Sequence, residues 1–203
     1  MATTYDFIMQ STERRCLGAW RGEILAEATG AVLEIGAGTG INLPYFPEQL
    51  TSLQLCEPDP HMRRKLSRTV SSSKREDIAI CPWTAEQIDL PDNSIDTIVS
   101  TLVLCSVNSL QSSLKEIYRL LKPGGTFIFM EHILAADPKT KLWQQRIEPF
   151  WGLCAGECHL TRDTATEITA TGFHIEQLTE AAMIGAPTFV KRTVRGRARK
   201  TLY

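Results

Sequence analysis

Ala31-Val-Leu-Glu-Ile-Gly-Ala-Gly-Thr-Gly40 begins with five residues that read as a buried strand and breaks on three glycines at alternate positions. Gly36, Gly38 and Gly40 let the backbone turn tightly and approach a ligand closely, because no Cβ stands in the way. Glu57 follows at the end of the next predicted strand, where a nucleoside ribose presents its hydroxyls. Dinucleotide sites use the same geometry, with an acid about 20 residues on. Here the spacing is G-x-G-x-G, and Ile41 occupies the place of the third dinucleotide glycine. A pyrophosphate needs that extra close approach at a helix N-terminus. A nucleoside without phosphate does not, and S-adenosylmethionine (SAM) is such a molecule.

Working outward, strands are expected at Ala31–Ile35, Ser52–Cys56, Ile78–Cys81, Ser94–Ser100, Thr126–Met130, Phe173–Leu178 and Pro187–Val194. Between them lie helical patterns. An N-terminal helical segment from about Tyr5 to Thr29 carries Trp20, Ile24 and Leu25 on its apolar side. Asp59 opens a helix through Leu66, and Asn108 with Gln111 resembles a capping pair ahead of Leu114, Ile117 and Leu121. Lys122-Pro-Gly-Gly125 is expected to stop that helix, and Thr164 with Glu167 to start another. This alternation predicts an α/β fold, a Rossmann-like, doubly wound and mostly parallel seven-stranded sheet with helices on both faces. Ligands of such a sheet bind beyond the carboxyl ends of its central strands. One domain is expected over 1–203, with 1–30 as a helical cap and 133–165 as a substrate-side insertion.

The chain has 203 residues, 43% of them hydrophobic, and a formal net charge of −1, ordinary values for a globular protein and poor ones for a general nucleic-acid binder. Lys191, Arg192, Arg195, Arg197, Arg199 and Lys200 concentrate positive charge near the C-terminus, read as a solvated basic tail or as a surface for an anion. No apolar run approaches the roughly 18 residues of a membrane span, and Met1–Gln10 lacks a secretion signal, so a cytoplasmic location is expected. The six cysteines are then reduced thiols.

Four pieces in order resemble the class I SAM-dependent methyltransferases: Glu34-Ile-Gly-Ala-Gly-Thr-Gly40, Glu57-Pro-Asp59, Ala85-Glu86 before Leu-Pro-Asp-Asn-Ser-Ile-Asp96, and Leu121-Lys-Pro-Gly-Gly125. A narrower set is similar to the microsomal thiol S-methyltransferases: Thr101-Leu-Val-Leu-Cys-Ser-Val107, Met130-Glu-His132, Trp143-Gln-Gln145 and Cys158-His-Leu-Thr-Arg162. Those relatives carry an apolar N-terminal anchor that is not read in this chain. The resemblance implies SAM as cofactor and S-adenosylhomocysteine as product. It implies that the Gly36–Gly40 backbone meets the methionine portion, Glu57 the ribose hydroxyls, and Ala85 with Glu86 the adenine edge. Thr84 stands where many class I enzymes have aspartate. Glu34, Asn42 and Thr101 complete the expected cofactor set, Glu34 as an acid that positions the glycine loop.

The candidate catalytic residues are His132, His159 and Arg162. His132 reads either as a hydrogen-bonded structural residue or as a base. Arg162 reads as an anion stabiliser or as the partner of Asp163 or Glu157. Cys105, Cys154, Cys158 and His159 match no common zinc spacing, so no metal is expected, and a thiol-rich substrate pocket is the preferred reading. Trp143, Phe150 and Trp151 are read as core or as an apolar lid. The expected reaction is in-line methyl transfer to a small acceptor, a thiol or hydrosulfide, with no nucleic acid or membrane span as partner. A quinone, a lipid amine or a metalloid as acceptor, or a SAM-binding module without catalysis, remain the alternatives.

Overall fold

The computed structural model describes residues 11–73, 75–154 and 158–202. Seven strands form one sheet: β1 (Ala31–Ile35), β2 (Ser52–Cys56), β3 (Ile78–Cys81), β4 (Ile95–Thr101), β5 (Leu121–His132), β6 (Phe173–Ala182) and β7 (Arg192–Lys200). Their order is β3-β2-β1-β4-β5-β7-β6. The first five strands are parallel, and β7 runs antiparallel to both β5 and β6. The chain leaves β1 toward β2 on one side and returns as β4 on the other. Ile35 therefore pairs with Cys56 and with Ser100, and the loops after these strands open into one crevice.

Pleating divides the apolar residues of β1, β4 and β5 between two cores. Leu33, Ile35, Ile98, Phe127 and Phe129 face α3 (Leu110–Leu120) and α5 (Thr164–Ala170), meeting Leu114, Ile117, Leu120 and Ile168. Val32, Val99, Ile128 and Met130 face the other way. There they meet Leu17 of a π-helical turn (Glu13–Leu17), Ile24 and Leu25 of α1 (Gly18–Leu25), and Leu66 of α2 (Pro60–Ser72). The helix α4 (Pro138–Cys154) follows β5.

Local chemistry explains where elements begin. The Asp59 carboxylate accepts from the His61 and Met62 N–H groups at the start of α2, with Pro60 just inside. The caps of α3 and α5 are Ser109 and Asp163, not the Asn108 and Thr164 that the sequence pattern favours. Either correction is a one-residue shift among neighbouring cap-forming side chains. Asp96 joins two strand beginnings, accepting from the Ala31 N–H at 2.9 Å and from Lys122 Nζ at 2.7 Å.

Two larger corrections concern the end of the chain. The last strand is Arg192–Lys200 rather than Pro187–Val194, and the basic run is an interior strand, not a tail. Alternation of apolar residues with arginines disguised it. Val194 and Ala198 enter the core, while Arg195, Arg197 and Arg199 project to the other face and pair with Glu23, Glu27 and Glu176. Arg195 also lies over the Trp20 ring, 4.8 Å from its centroid. Residues 5–10 of the expected N-terminal helix lie outside the described residues.

Gly196 sits where β7 meets β6 at a register irregularity, and a Cβ there would lie 1.9 Å from the Gln177 carbonyl oxygen. Backbone cannot move aside as a flexible side chain does. Gly196→Ala is expected to lower unfolding stability by about 3 kcal/mol, read from denaturant midpoints at unchanged slope. A loss below about 0.5 kcal/mol would contradict the packing described.

Candidate functional site

The three glycines after β1 serve different purposes. A Cβ on Gly36 would overlap the Val103 side chain at 2.6 Å, and one on Gly40 would press on Leu66 at 2.9 Å. Both are required by the protein's own packing. Gly38, with φ of +59°, has nothing within 4 Å of an added Cβ. It faces open space at the carboxyl edge of the sheet, where a ligand can lie against bare backbone. Ile41 is 45% exposed beside it.

Glu57 is buried under this loop. Its Oε2 accepts from the Gly38 N–H at 2.8 Å and its Oε1 from the Asp59 N–H at 2.9 Å. The carboxylate thus pins the glycine loop to the start of α2. An ionised carboxylate has about four acceptor positions. Two are used here, which leaves capacity for a diol.

Behind the loop runs a buried polar network that starts on the N-terminal helix. Glu13 pairs with Arg21 Nε at 2.9 Å, and Arg21 Nη1 donates to Asn42 Oδ1 at 2.6 Å and to Thr101 Oγ1 at 2.9 Å. Asn42 Nδ2 donates to Glu34 Oε1 at 2.6 Å and to Thr101 Oγ1 at 2.8 Å. Glu34, Asn42 and Thr101, expected to serve the cofactor, are thereby bonded to one another. Burial raises the Glu34 carboxyl to about 7, against the lowering pull of Asn42 and Arg21, with Glu57 adding a smaller upward push. Its Oε2 is buried with no partner among the described residues. Arg21 belongs to none of the motifs that mark the site in the sequence. The signal was an arginine on the apolar stripe that Leu17, Ile24 and Leu25 mark at helical spacing.

In the loop after β3, Ala85 is packed into the core, and Glu86 Oε1 accepts from the Ser109 N–H at 3.2 Å. Glu86 thus already holds the start of α3. Thr84 forms an isolated bridge with Gln87.

The other side of the crevice is built by the loop after β4. Glu131 Oε1 accepts from Ser100 Oγ at 2.8 Å and from the Val103 and Leu104 N–H groups at 3.2 Å each, which shapes this loop. Its Oε2 has no partner among the described residues, and burial raises its pKa. Arg162 donates to the Leu104 and Val107 carbonyls, the latter at 2.7 Å, and the His159 N–H donates to the Cys105 carbonyl at 2.7 Å. The segment 158–162 is strapped to the loop by these bonds. Arg162 is therefore not the ion-pair partner of Asp163, whose carboxylate caps α5 instead. Glu157 lies outside the described residues.

His132 Nε2 lies 2.7 Å from Cys158 Sγ, and Cys105 completes a buried trio whose donor atoms are all within 4.8 Å of one another. The hydrogen bond from Cys105 favours the Cys158 thiolate most, against desolvation, and His132 adds to it, so the Cys158 thiol lies well below its usual range. The same bond, with burial, pushes Cys105 upward. His159 stands apart, half exposed, with Nδ1 3.1 Å from Glu148 Oε1. The thiol grouping expected from the sequence thus holds Cys105 and Cys158 but takes His132 in place of His159, and the Cys154 side chain lies outside the described residues. Trp151 packs edge-on against Phe189 at 5.0 Å, and both pack with Leu160 and Val190 around Cys105 and Cys158. Trp143 and Phe150, read as core or lid, are instead 63% and 73% exposed on α4.

A model of a methyltransferase domain matches residues 33–129. Human Thiol S-methyltransferase TMT1B is 34% identical over 173 residues, covering 81% of this chain and 68% of the human protein. The rat protein of the same name is 35% identical, but the chain spans only 61% of its length. Among solved structures, YcgJ from Bacillus subtilis superposes with a TM-score of 0.72 at 16% identity, covering 91% of this chain and 97% of that one. A SAM-dependent methyltransferase from Aquifex aeolicus gives 0.59 at 17% identity, covering 84% and 82%. The residues present fit SAM. Gly38 leaves its backbone bare beneath open space, and Glu57 keeps unused acceptor positions beside it.

Two outcomes are expected. By calorimetry, Glu57→Ala should weaken SAM binding at least ~100-fold, the loss of two charge-assisted hydrogen bonds to the ribose; unchanged affinity would remove Glu57 from the site. The Glu34 carboxyl binds its proton more tightly folded than unfolded. Its contribution is full below about pH 4.5 and is lost as pH rises through about 7, at most roughly 3 kcal/mol. Glu34→Gln should therefore flatten the fall in ligand-free stability between about pH 5 and pH 8, as measured by denaturant unfolding.

Proposed function

The chain belongs to the SAM-dependent methyltransferase family that includes human Thiol S-methyltransferase TMT1B, and we propose that it moves the methyl group of SAM to a small thiol or hydrosulfide. The observation that carries the acceptor is the 34% identity to a protein of that name across 81% of the chain. Bound SAM supplies a methyl on a positive sulfonium, open to in-line displacement by an electron-rich atom.

What the chain must do follows from that chemistry. Glu57 accepts from the ribose hydroxyls while its bonds to the Gly38 and Asp59 N–H groups keep it from turning away. The Arg21–Asn42–Glu34 network stiffens the loop from behind, so positioning costs little at the moment of binding. Val103 lies over Gly36 and stands two residues before Cys105, which sets the acceptor side against the cofactor loop. The residues 133–165 serve as the substrate-side segment.

Alignment and exclusion of water account for most of the work in such a displacement. Trp151, Phe189, Leu160 and Val190 form an apolar cover suited to both an alkyl thiol and a dry reaction path. A thiol reacts as its thiolate, with a free pKa of roughly 8.5, so a modest local bias suffices. His132 is the candidate group at the acceptor, and Arg162 and His159 act by holding the loop that frames it. No helix among the described residues is long and apolar enough to cross a membrane.

The test is methyl transfer from labelled SAM to a panel of hydrosulfide, alkyl thiols, arsenite, a quinol and a phospholipid amine, with Glu57→Ala as the inactive control. Turnover confined to sulfur acceptors is the expected result. Preferential methylation of an oxygen, nitrogen or metalloid acceptor would overturn the acceptor assignment while leaving the cofactor site standing.

A further inference from the structure

Cys105, His132 and Cys158 come from three separate parts of the chain: the loop after β4, the end of β5, and the segment after α4. Each is at least nine-tenths buried, at 3%, 5% and 8% exposure. Their donor atoms converge within 4.8 Å under an apolar cover. The His132 Nδ1 atom is buried without a partner among the described residues, as is the neighbouring Glu131 Oε2. Neutral thiols bury cheaply, but an imidazole with one ring nitrogen unpartnered among the described residues is expensive to bury for packing alone.

We propose that Cys105, His132 and Cys158 form a binding site for one zinc-class divalent cation, with the fourth coordination position open for the acceptor sulfur. The donor set matches the cation's borderline-soft preference, and two cysteines with one histidine leave one place free in a tetrahedron. Two thiolates balance the charge of the ion, which makes burial of the assembly tolerable. A tetrahedral zinc site separates its sulfur and nitrogen donors by roughly 3.5 Å, from Zn–S and Zn–N bonds of about 2.3 and 2.0 Å. The His132–Cys158 pair at 2.7 Å opens slightly to admit the ion.

The second half of the proposal rests on the thiol reading. An acceptor R–SH that enters the fourth position binds through sulfur as the thiolate, and its proton passes to solvent. The site lies where this is useful, because Val103, two residues from Cys105, packs over the cofactor loop at Gly36. Arg162 and the His159 N–H, both bonded to that same loop, keep the Cys105 backbone in place around the ion.

The experiment uses the full chain, reduced with a phosphine and stripped with a chelator. Zinc is titrated in competition with a chromophoric chelator, and cobalt(II) is titrated while absorbance is recorded. One equivalent of each should bind, and cobalt should give a thiolate charge-transfer band with d–d bands of tetrahedral intensity. Cys105→Ser and Cys158→Ser should each weaken zinc by more than about 100-fold, beyond the range for outer-shell partners, while Cys81→Ala leaves binding unchanged. Should a serine variant fail to fold, as judged by circular dichroism, His132→Gln and the wild-type cobalt spectrum decide the point. An added alkyl thiol should intensify the charge-transfer band. Substoichiometric binding by the wild type, or tight binding that survives both serine variants, overturns the site. Undiminished thiol methylation by the stripped protein would overturn acceptor capture by metal and leave the thiol reading intact. Failure of every thiol to turn over, with cobalt bound as described, would instead overturn that reading and the acceptor half with it, and leave the metal site.

Discussion

Arg21 reaches from the N-terminal helix into the sheet and donates at once to the Asn42 amide oxygen and the Thr101 hydroxyl, while Asn42 donates to Glu34. These four side chains join the ends of β1 and β4 to the loop between β1 and β2. The glycine turn cannot supply such rigidity itself, since bare backbone gains freedom with every Cβ it lacks. A buried network of this kind is stabilising only when nearly every member is satisfied. Glu34 Oε2 has no partner among the described residues, and burial raises the pKa of this carboxyl against the pull of Asn42 and Arg21. The site's firmness thus depends on a cation delivered from outside the sheet.

The two sides of the crevice carry different chemistry. Beside the glycine loop are carboxylates: Glu57 fixed by backbone N–H groups and Glu34 held by the Asn42 amide. This suits a ligand with hydroxyls and positive charge. The opposite side has thiols, an imidazole and an indole, with Leu160 and Val190 packed among the thiols. A polarisable, weakly hydrated environment favours a sulfur nucleophile over a strongly solvated one. One loop, Thr101–Val107, links the two sides, and both Glu131 and Arg162 are occupied with holding it.

The strand at Ala31–Ile35 and its glycines were legible because burial on both faces favours a mostly apolar run, here broken only by Glu34, and a tight turn demands glycine. Glu57 was legible for a similar reason, since its place at the end of β2 follows from strand length. Arg192–Lys200 was not. Its alternation of arginines with small residues reads as a charged tail until glutamates from the N-terminal segment and β6 are seen to pair with it. Trp143 and Phe150 failed in the opposite direction, because an aromatic residue signals burial only when a neighbour exists to cover it.

The sequence by itself determined the mostly parallel sheet, the crevice at β1 and β4, and the place of the glycine turn and Glu57 beside it. Those follow from local periodicity, strand burial and the conformational demands of single residues. Only the tertiary structure decided which distant side chains meet. Arg21 stands 21 residues from Asn42 and 80 from Thr101, and His132 stands 26 residues from Cys158. No spacing rule reaches across such intervals. The pairing is fixed by where sheet registry and helix docking bring each backbone, and the chemistry of the thiol cluster is a consequence of that placement.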